Sequence, residues 1–222
     1  MAKKSATAKK LDALLKYIMN EGQVVAHTPP FDSATAQRIG VPPAWFEALT
    51  GSATISEQIL KLWTPLAKVM PRTRLAYAAH AVALVAVQTG THPLSLLYCF
   101  DLGTQWTAQR GFLPGGPLPP IATRFPVDLS TLYALHDGLV NIASEEDGPM
   151  PVEQWHAIAD NQGGELMEVL SEGGRGLGFD MSVDPVRTYW LDADSEKDSV
   201  REVKDPWAFM DELMASWLER QE

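Results

Sequence analysis

The sequence predicts a mixed α/β protein of the α+β class, in which an all-helical N-terminal domain precedes a domain of mixed sheet and helices. Three observations support this prediction. Apolar residues recur at helical spacing through the first half of the 222-residue chain. Short apolar and aromatic runs bounded by Gly, Asp and Pro, which are typical of strands, occur in the second half. A stretch rich in glycine and proline separates the halves.

The N-terminal domain is predicted to cover residues 1–110 as a series of helices. Leu11, Leu14 and Ile18 form one apolar stripe, and Pro42 with Pro43 suits the first turn of a later helix. The long apolar segment that follows residue 71 is interpreted as one buried helix, and no strand is expected in this half. The predicted helices cover residues 7–20, 42–51, 55–64, 71–90 and 93–100.

The segment 111–120, GFLPGGPLPP, is predicted to be a connector between the two domains. It holds three glycines and four prolines in ten residues, a composition that neither a helix nor a strand tolerates. The charge changes sign at the same place. Residues 1–120 carry a net charge of +5 and residues 121–222 a net charge of −15, which is a second indication of two units.

The C-terminal domain, residues 121–222, is predicted to combine helices with a strand hairpin. A helix is expected over 128–136, and the segment 162–174 also has a helix-like pattern. The runs 178–181 and 186–191 predict two strands joined by a turn at Asp184 and Pro185. Asp205, followed by proline, is a good N-cap for a last helix with a tryptophan- and leucine-rich face.

The order of these elements resembles the SMI1/KNR4 superfamily, also called SUKH. The likeness rests on the segments FPVDLSTLYALHDG (125–138), GPMPVEQWHAIAD (148–160), GLGFDMSVDPVRTYWLDAD (176–194) and REVKDPWAFMDELMASWLE (201–219). The match covers about half of the chain, and residues 1–110 have no counterpart in it. The resemblance implies a mixed α/β domain that binds a protein ligand without performing chemistry, because the bacterial members are mostly immunity proteins against toxins.

No catalytic or metal-binding pattern stands out in the sequence. The single cysteine, Cys99, excludes an internal disulfide, and the five histidines lack metal-ligand spacing. His136 is interpreted as a last-turn helix residue that, when protonated, interacts favourably with the helix dipole. An EF-hand loop starting at Asp192 fails because Lys197 stands where the loop requires glycine. The protein is therefore predicted to be no enzyme and to need no metal or cofactor.

The dense negative charge of the second half indicates either a basic protein partner or a role in solubility alone, and it disfavours nucleic acid, whose phosphates it repels. Aromatic side chains beside carboxylates are typical of a protein-binding surface, and packing in the core is the alternative for the tryptophans. The predicted partner-binding residues are Glu145, Glu146, Asp147, Trp155, Trp190, Asp192, Asp194 and Glu196.

The function expected from the sequence is that of an immunity protein that neutralises a cognate bacterial toxin or effector by stoichiometric occlusion. A regulatory scaffold or adaptor that binds a cellular protein through its helical domain is the alternative. The first twenty residues lack an export signal, because Asp12 and Lys16 interrupt the apolar stretch. A cytoplasmic protein with no membrane span is therefore expected.

Overall fold

A computed structural model describes residues 5–51, 54–92, 94–103, 105–159, 165–192 and 199–219. It is a mixed α/β structure with two antiparallel sheets. The α-helices of the described residues are α1 (Ala6–Leu15), α2 (Ser33–Ile39), α3 (Pro43–Thr50), α4 (Ile55–Leu62), α5 (Pro71–His80), α6 (Ser130–Tyr133) and α7 (Pro206–Glu219). A 3-10 helix, Lys16–Glu21, continues directly from α1.

The first sheet has five strands in the order β1-β2-β3-β4-β5, all antiparallel to their neighbours. Both of its faces are covered. On one face, Leu14 and Ile18 pack with Val85 and Val87 in a small apolar cluster. The other face belongs to the main core. The strands are β1 (Val25–His27), β2 (Ala81–Gln88), β3 (Ser95–Asp101), β4 (Trp106–Phe112) and β5 (Leu139–Asn141).

The second sheet follows the order β11-β10-β9-β8-β6, with β7 also paired to β8. Glu172 and Arg175 face each other across the turn Gly173–Gly174, whose two positive φ angles suit glycine in a two-residue hairpin. The strands are β6 (Gly148–Pro149), β7 (His156–Ala159), β8 (Glu165–Glu172), β9 (Arg175–Asp180), β10 (Arg187–Asp192) and β11 (Ser199–Glu202).

The prediction of an all-helical N-terminal half was wrong. The segment expected to be one helix from residue 71 to 90 is helix α5 followed by strand β2, and the helix expected after residue 93 is strand β3. Because the first sheet is covered on both faces, its central strands carry near-continuous apolar runs. Periodicity cannot separate such runs from a buried helix.

The two halves of the chain share one hydrophobic core and one sheet. Strand β5 follows the predicted connector and pairs with β4, most of which precedes that connector. Trp45 of α3 donates its indole N–H to the carbonyl of Leu135 at 2.7 Å. The predicted connector begins inside β4, because Gly111 and Phe112 are strand residues. These contacts join the halves, and the domain boundary at 111–120 stays a prediction.

Several predictions for the second half are confirmed, and one is wrong. Strands β9 and β10 form the predicted hairpin. Helix α7 begins at Pro206, and the Asp205 carboxylate accepts the N–H of Ala208 at 3.0 Å as an N-cap. The helix expected over 128–136 is shorter, because α6 spans only four residues. The described part of 162–174, predicted to be helical, is instead strand β8 and the start of its turn.

Candidate protein-binding surface

The three acidic residues predicted around position 146 lie in a tight turn between β5 and β6. The backbone of Asn141 holds the turn from both sides: its N–H donates to the carbonyl of Glu146 at 2.6 Å, and its carbonyl accepts the N–H of Glu145 at 2.9 Å. Glu145 and Asp147 adopt left-handed φ angles of 59° and 60°. Such angles are unfavourable for residues other than glycine by about 1 kcal/mol each, so the hydrogen bonds are needed to hold the backbone of the turn in this conformation.

The register of the second sheet places these residues beside the second predicted cluster. Gly148 pairs with Ser171, and continuing that register by one residue places Asp147 level with Glu172. Glu172 pairs with Arg175, and Arg175 pairs with Asp192. Neighbouring strands lie about 4.8 Å apart, so three strand spacings separate Asp147 from Asp192 by about 14 Å.

We call this end of the second sheet the acidic end. Its members, all carboxylates of the turn and of adjoining strand ends, are Glu145, Glu146, Asp147, Glu172 and Asp192. Arg175 lies 3.7 Å from a Glu172 oxygen and 3.6 Å from an Asp192 oxygen, and Arg201 lines a pocket together with Glu172 and Arg175. Among the described residues, five carboxylates thus stand against these two cations, which leaves an acidic surface.

The field of the acidic turn extends onto strand β8. Burial raises the pKa of the Glu168 carboxyl, the charge of His156 opposes that shift, and the charge of Glu146 adds to it. The His156 ring lies 3.2 Å from the Glu168 carboxylate. Glu146 therefore lies close enough to Glu168 to add to the shift that burial causes.

Trp155 and Trp190, predicted as partner-binding anchors, take part in packing. Trp190 is 9% exposed and lies against the Phe209 ring at 5.0 Å between centroids. Trp155 is half-buried, and its indole N–H donates to the Tyr133 hydroxyl at 3.0 Å. These rings hold the second sheet against its helices. Asp194 and Glu196, the last two predicted residues, lie outside the described residues.

A cleft of about 490 Å³ opens next to the acidic turn and contains a buried ion pair that the sequence did not reveal. The Arg110 side chain is 5% exposed, and its guanidinium donates to both oxygens of Glu21. Its Nε also donates to the Ser95 hydroxyl at 3.0 Å. Because 88 residues separate Glu21 from Arg110 in the sequence, no local spacing could have indicated the pair.

Several groups stabilise the charged form of Glu21. Burial alone would raise the pKa of this carboxyl, but the hydrogen bond and charge of Arg110 and the hydroxyls of Thr89 and Thr91 outweigh it, so the pKa is lowered. Three further carboxylates, Asp137, Glu145 and Glu153, line the cleft among mainly apolar and neutral residues. The cleft thus adds negative charge next to the turn.

His136 lies in the main core, not at an exposed helix end. It is fully buried, and burial lowers the pKa of its ring to about 4, which keeps it neutral at pH 7. His136 does close the last turn of its helix, since its backbone N–H donates to the carbonyl of Leu132 at 2.9 Å, but the neutral ring makes no charge interaction with the helix dipole. Its ring Nδ1 faces the carbonyl of Phe112 at 3.2 Å, and its Nε2 lies 2.7 Å from the Tyr98 hydroxyl.

The hydrogen bonds around His136 have a defined direction. A carbonyl can only accept, so Nδ1 carries the proton and Nε2 accepts from the Tyr98 hydroxyl. The Tyr98 oxygen in turn accepts the indole N–H of Trp63 at 3.1 Å. Each polar atom in this series of hydrogen bonds has a partner, with every donor facing an acceptor. This complete pairing indicates a structural role.

Comparison with protein families, with curated proteins and with solved structures finds no match to this chain. Among the residues that the structure describes, no helix is long and apolar enough to cross a membrane. The same residues contain no group of three or more His, Cys, Asp or Glu side chains placed to hold a metal ion.

Proposed function

We propose that this chain is a cytoplasmic immunity protein of the SMI1/KNR4 type, which binds a basic toxin or effector through the acidic end of its second sheet. The observation that carries the proposal is the strand register. It brings the carboxylates near position 146 and those near position 192 to the same end of one sheet. The resemblance of residues 125–219 to that superfamily supplies the toxin as the partner.

Neutralisation in this proposal requires no chemistry from the chain. Dense negative charge steers a basic protein toward the surface and raises the association rate. The same charge resembles the polyanion that the active site of a basic nuclease binds, so the acidic end covers that site. The cleft beside Glu145 adds contact area, and the backbone of the hydrogen-bonded turn needs no further ordering when the partner binds.

The adaptor alternative, with binding through a separate helical domain, has less support. Residues 1–110 contain strands β2 to β4 and share the core with the second half, so they do not form a free-standing helical unit. Tests of function therefore use the full chain.

The proposal is tested with three versions of the chain as bait in a lysate of the source organism. The first is the wild type, and the second is the double variant Glu145→Lys/Glu146→Lys, whose residues are exposed. The control is Glu47→Lys/Glu165→Lys, which makes the same charge change away from the acidic end. Glu47 is 84% exposed, and its 3.6 Å ion pair with Lys61 is solvent-exposed, so its loss costs little.

The expected result is a basic polypeptide that the wild type and the control retain and the Glu145/Glu146 variant loses. Its toxicity to growing cells, or its enzymatic activity, should fall to zero at one equivalent of added wild-type chain. The proposal is wrong if the retained protein keeps its activity in the presence of excess chain. It is also wrong if both double variants bind that protein equally.

A further inference from the structure

A second pocket, of about 330 Å³, lies beneath the acidic end, between the two sheets and α7. Its size is at the lower limit of pockets that hold small ligands. It is lined by side chains from both sheets and both halves of the chain, including Tyr77, Phe100, Gln109, Asp147, Glu172 and Trp217.

Two buried polar groups in this pocket lack a hydrogen-bond partner among the described residues. The Tyr77 side chain is fully buried, and its hydroxyl is unpaired. Gln109 is 6% exposed, and its Oε1 is unpaired as well. An unpaired buried polar group costs about 1–3 kcal/mol. Both atoms are closed to solvent, so a ligand in this pocket reaches them when the side chains of the wall shift, and it then supplies the missing bonds.

The charges around the pocket favour a cation. Of the described residues that line the pocket, none is lysine, arginine or histidine, whereas two are acidic, Asp147 and Glu172. Glu172 is partly neutralised, because it accepts the Trp217 indole N–H at 2.6 Å and lies 3.7 Å from Arg175. The hydrogen bond that the structure gives Asp147 comes from the neutral Ser144 hydroxyl. Among the described residues, Asp147 therefore contributes to the pocket wall a carboxylate that accepts a hydrogen bond from a neutral group, while Arg175 pairs with the neighbouring Glu172.

We infer that this pocket binds a guanidinium group, supplied by an arginine of the basic partner. A guanidinium has five N–H donors and no acceptor, which suits walls that offer the Gln109 oxygen and two carboxylates. Its flat face also stacks on aromatic rings, and Phe100 and Trp217 line the pocket. A lysine ammonium is more strongly hydrated and has no flat face to stack.

The inference rests on the proposed function in one respect, the origin of the arginine. The acidic end supplies the attraction and the pocket supplies an anchor, which corresponds to the arrangement of many interfaces where a few buried residues carry most of the binding energy. Free arginine-like molecules share the same chemistry, so the experiment separates the two sources.

The first arm titrates the full-length protein with N-acetyl-L-arginine amide and observes the Trp217 indole N–H by ¹H–¹⁵N NMR. The Trp217→Phe variant assigns that signal. The matched probe is the citrulline analogue, in which a neutral urea replaces the guanidinium. We expect the arginine probe to shift the Trp217 signal in a saturable manner and the citrulline probe to bind at least about tenfold more weakly, because charged hydrogen bonds are lost.

The second arm compares Asp147→Asn with Glu165→Gln. Both remove one negative charge, but Asp147 lines this pocket, whereas Glu165 is exposed at the opposite end of β8. Asp147→Asn should weaken binding of the arginine probe by about tenfold, and Glu165→Gln should leave it unchanged. The inference is overturned if the Trp217 signal does not respond to the arginine probe, if citrulline binds equally well, or if the two variants behave alike.

The two proposals fail separately. If the arginine probe does not bind but Glu145→Lys/Glu146→Lys abolishes capture of the partner, the pocket inference is wrong and the proposed function stands. If the probe binds at the pocket while charge reversal leaves the partner bound, the pocket takes a free guanidinium compound and the proposed function is wrong.

Discussion

Two buried tyrosines, Tyr77 and Tyr98, lie side by side in the core and differ in how their hydroxyls are paired. Their rings are 5.3 Å apart in an edge-to-face arrangement, and both are fully buried. The Tyr98 hydroxyl connects Trp63 to His136, whereas the Tyr77 hydroxyl has no partner among the described residues. Burial raises the pKa of both, so each hydroxyl keeps its proton.

The difference in hydroxyl pairing distinguishes a role in stability from a role in binding. A fully paired buried network stabilises the fold, because every polar atom that loses water gains a partner. An unpaired group in the same core is a cost to the fold, and a protein retains such a cost where binding recovers it. The Tyr98 network is therefore assigned to structure and the Tyr77 pocket to recognition.

The largest effect is expected from Tyr98→Phe. Removing this hydroxyl leaves the Trp63 indole N–H and the His136 Nε2 without the partner they have in the wild type, and each orphaned group costs about 1–3 kcal/mol. We expect the free energy of unfolding, measured by urea denaturation, to fall by about 3 kcal/mol. A loss below about 1 kcal/mol would contradict the structural role of the network.

The pH dependence of stability tests the same network. The unfolded chain protonates His136 near pH 6.5, but the folded chain does so only near pH 4. Between these values the unfolded state binds more protons, so the free energy of unfolding falls as the pH is lowered through this window. The total loss should be about 3 kcal/mol, complete near pH 4 and absent above pH 6.5.

The control for this prediction is His136→Gln, which lacks the titrating ring. Its free energy of unfolding should be lower than that of the wild type at pH 7 but should change less between pH 6.5 and 4. The raised pKa of Glu168 acts in the opposite direction, because its folded state binds the extra proton. Since both proteins contain Glu168, its effect cancels in their difference. Equal slopes for both proteins would show that His136 is not neutral in the fold.

A smaller effect of opposite sign is expected from Gln109→Leu. The substitution removes the unpaired Oε1 and leaves an apolar side chain in a buried position. The free energy of unfolding should stay the same or rise by about 1 kcal/mol, while binding of the arginine probe becomes weaker. Urea denaturation and the NMR titration measure the two quantities. A marked loss of stability would mean that the Gln109 side chain has a structural partner.

No loss of stability is expected from Tyr77→Phe, the counterpart of Tyr98→Phe. Because the Tyr77 hydroxyl is buried and makes no hydrogen bond within the described structure, its removal should leave the free energy of unfolding unchanged or raise it by up to about 1 kcal/mol. Measured in the same urea series, the two tyrosine variants give the comparison directly. Similar losses for both would remove the distinction between network and pocket.

The sequence predicted those elements whose signals are local. Asp205 and Pro206 mark the start of α7, and the Asp184–Pro185 turn marks the β9–β10 hairpin, because caps and turns depend on neighbouring residues. Strands β2 and β3 were mistaken for helices because both faces of the first sheet are covered. Their apolar runs carry no alternation that would identify them as strands.

The candidate site was predicted in part. Local composition located the acidic turn and Asp192, but only the strand register shows that they share one end of a sheet. Arg110, Glu21, Tyr77 and Gln109 were missed because their roles come from tertiary neighbours far away in sequence. For the tryptophans, local composition was misleading. Trp190 stands close to carboxylates in the sequence, as a binding anchor does, but its side chain packs inside the protein.

The central claim, that the acidic end of the second sheet binds a basic polypeptide, is tested most directly by the association rate constant at low and high salt. The captured partner is mixed with the wild type, with Glu145→Lys/Glu146→Lys and with Glu47→Lys/Glu165→Lys. We predict that reversal at the acidic end slows association by about tenfold or more at low salt and flattens the salt dependence, while the control behaves as the wild type does. Equal rate constants for the two double variants would contradict the account.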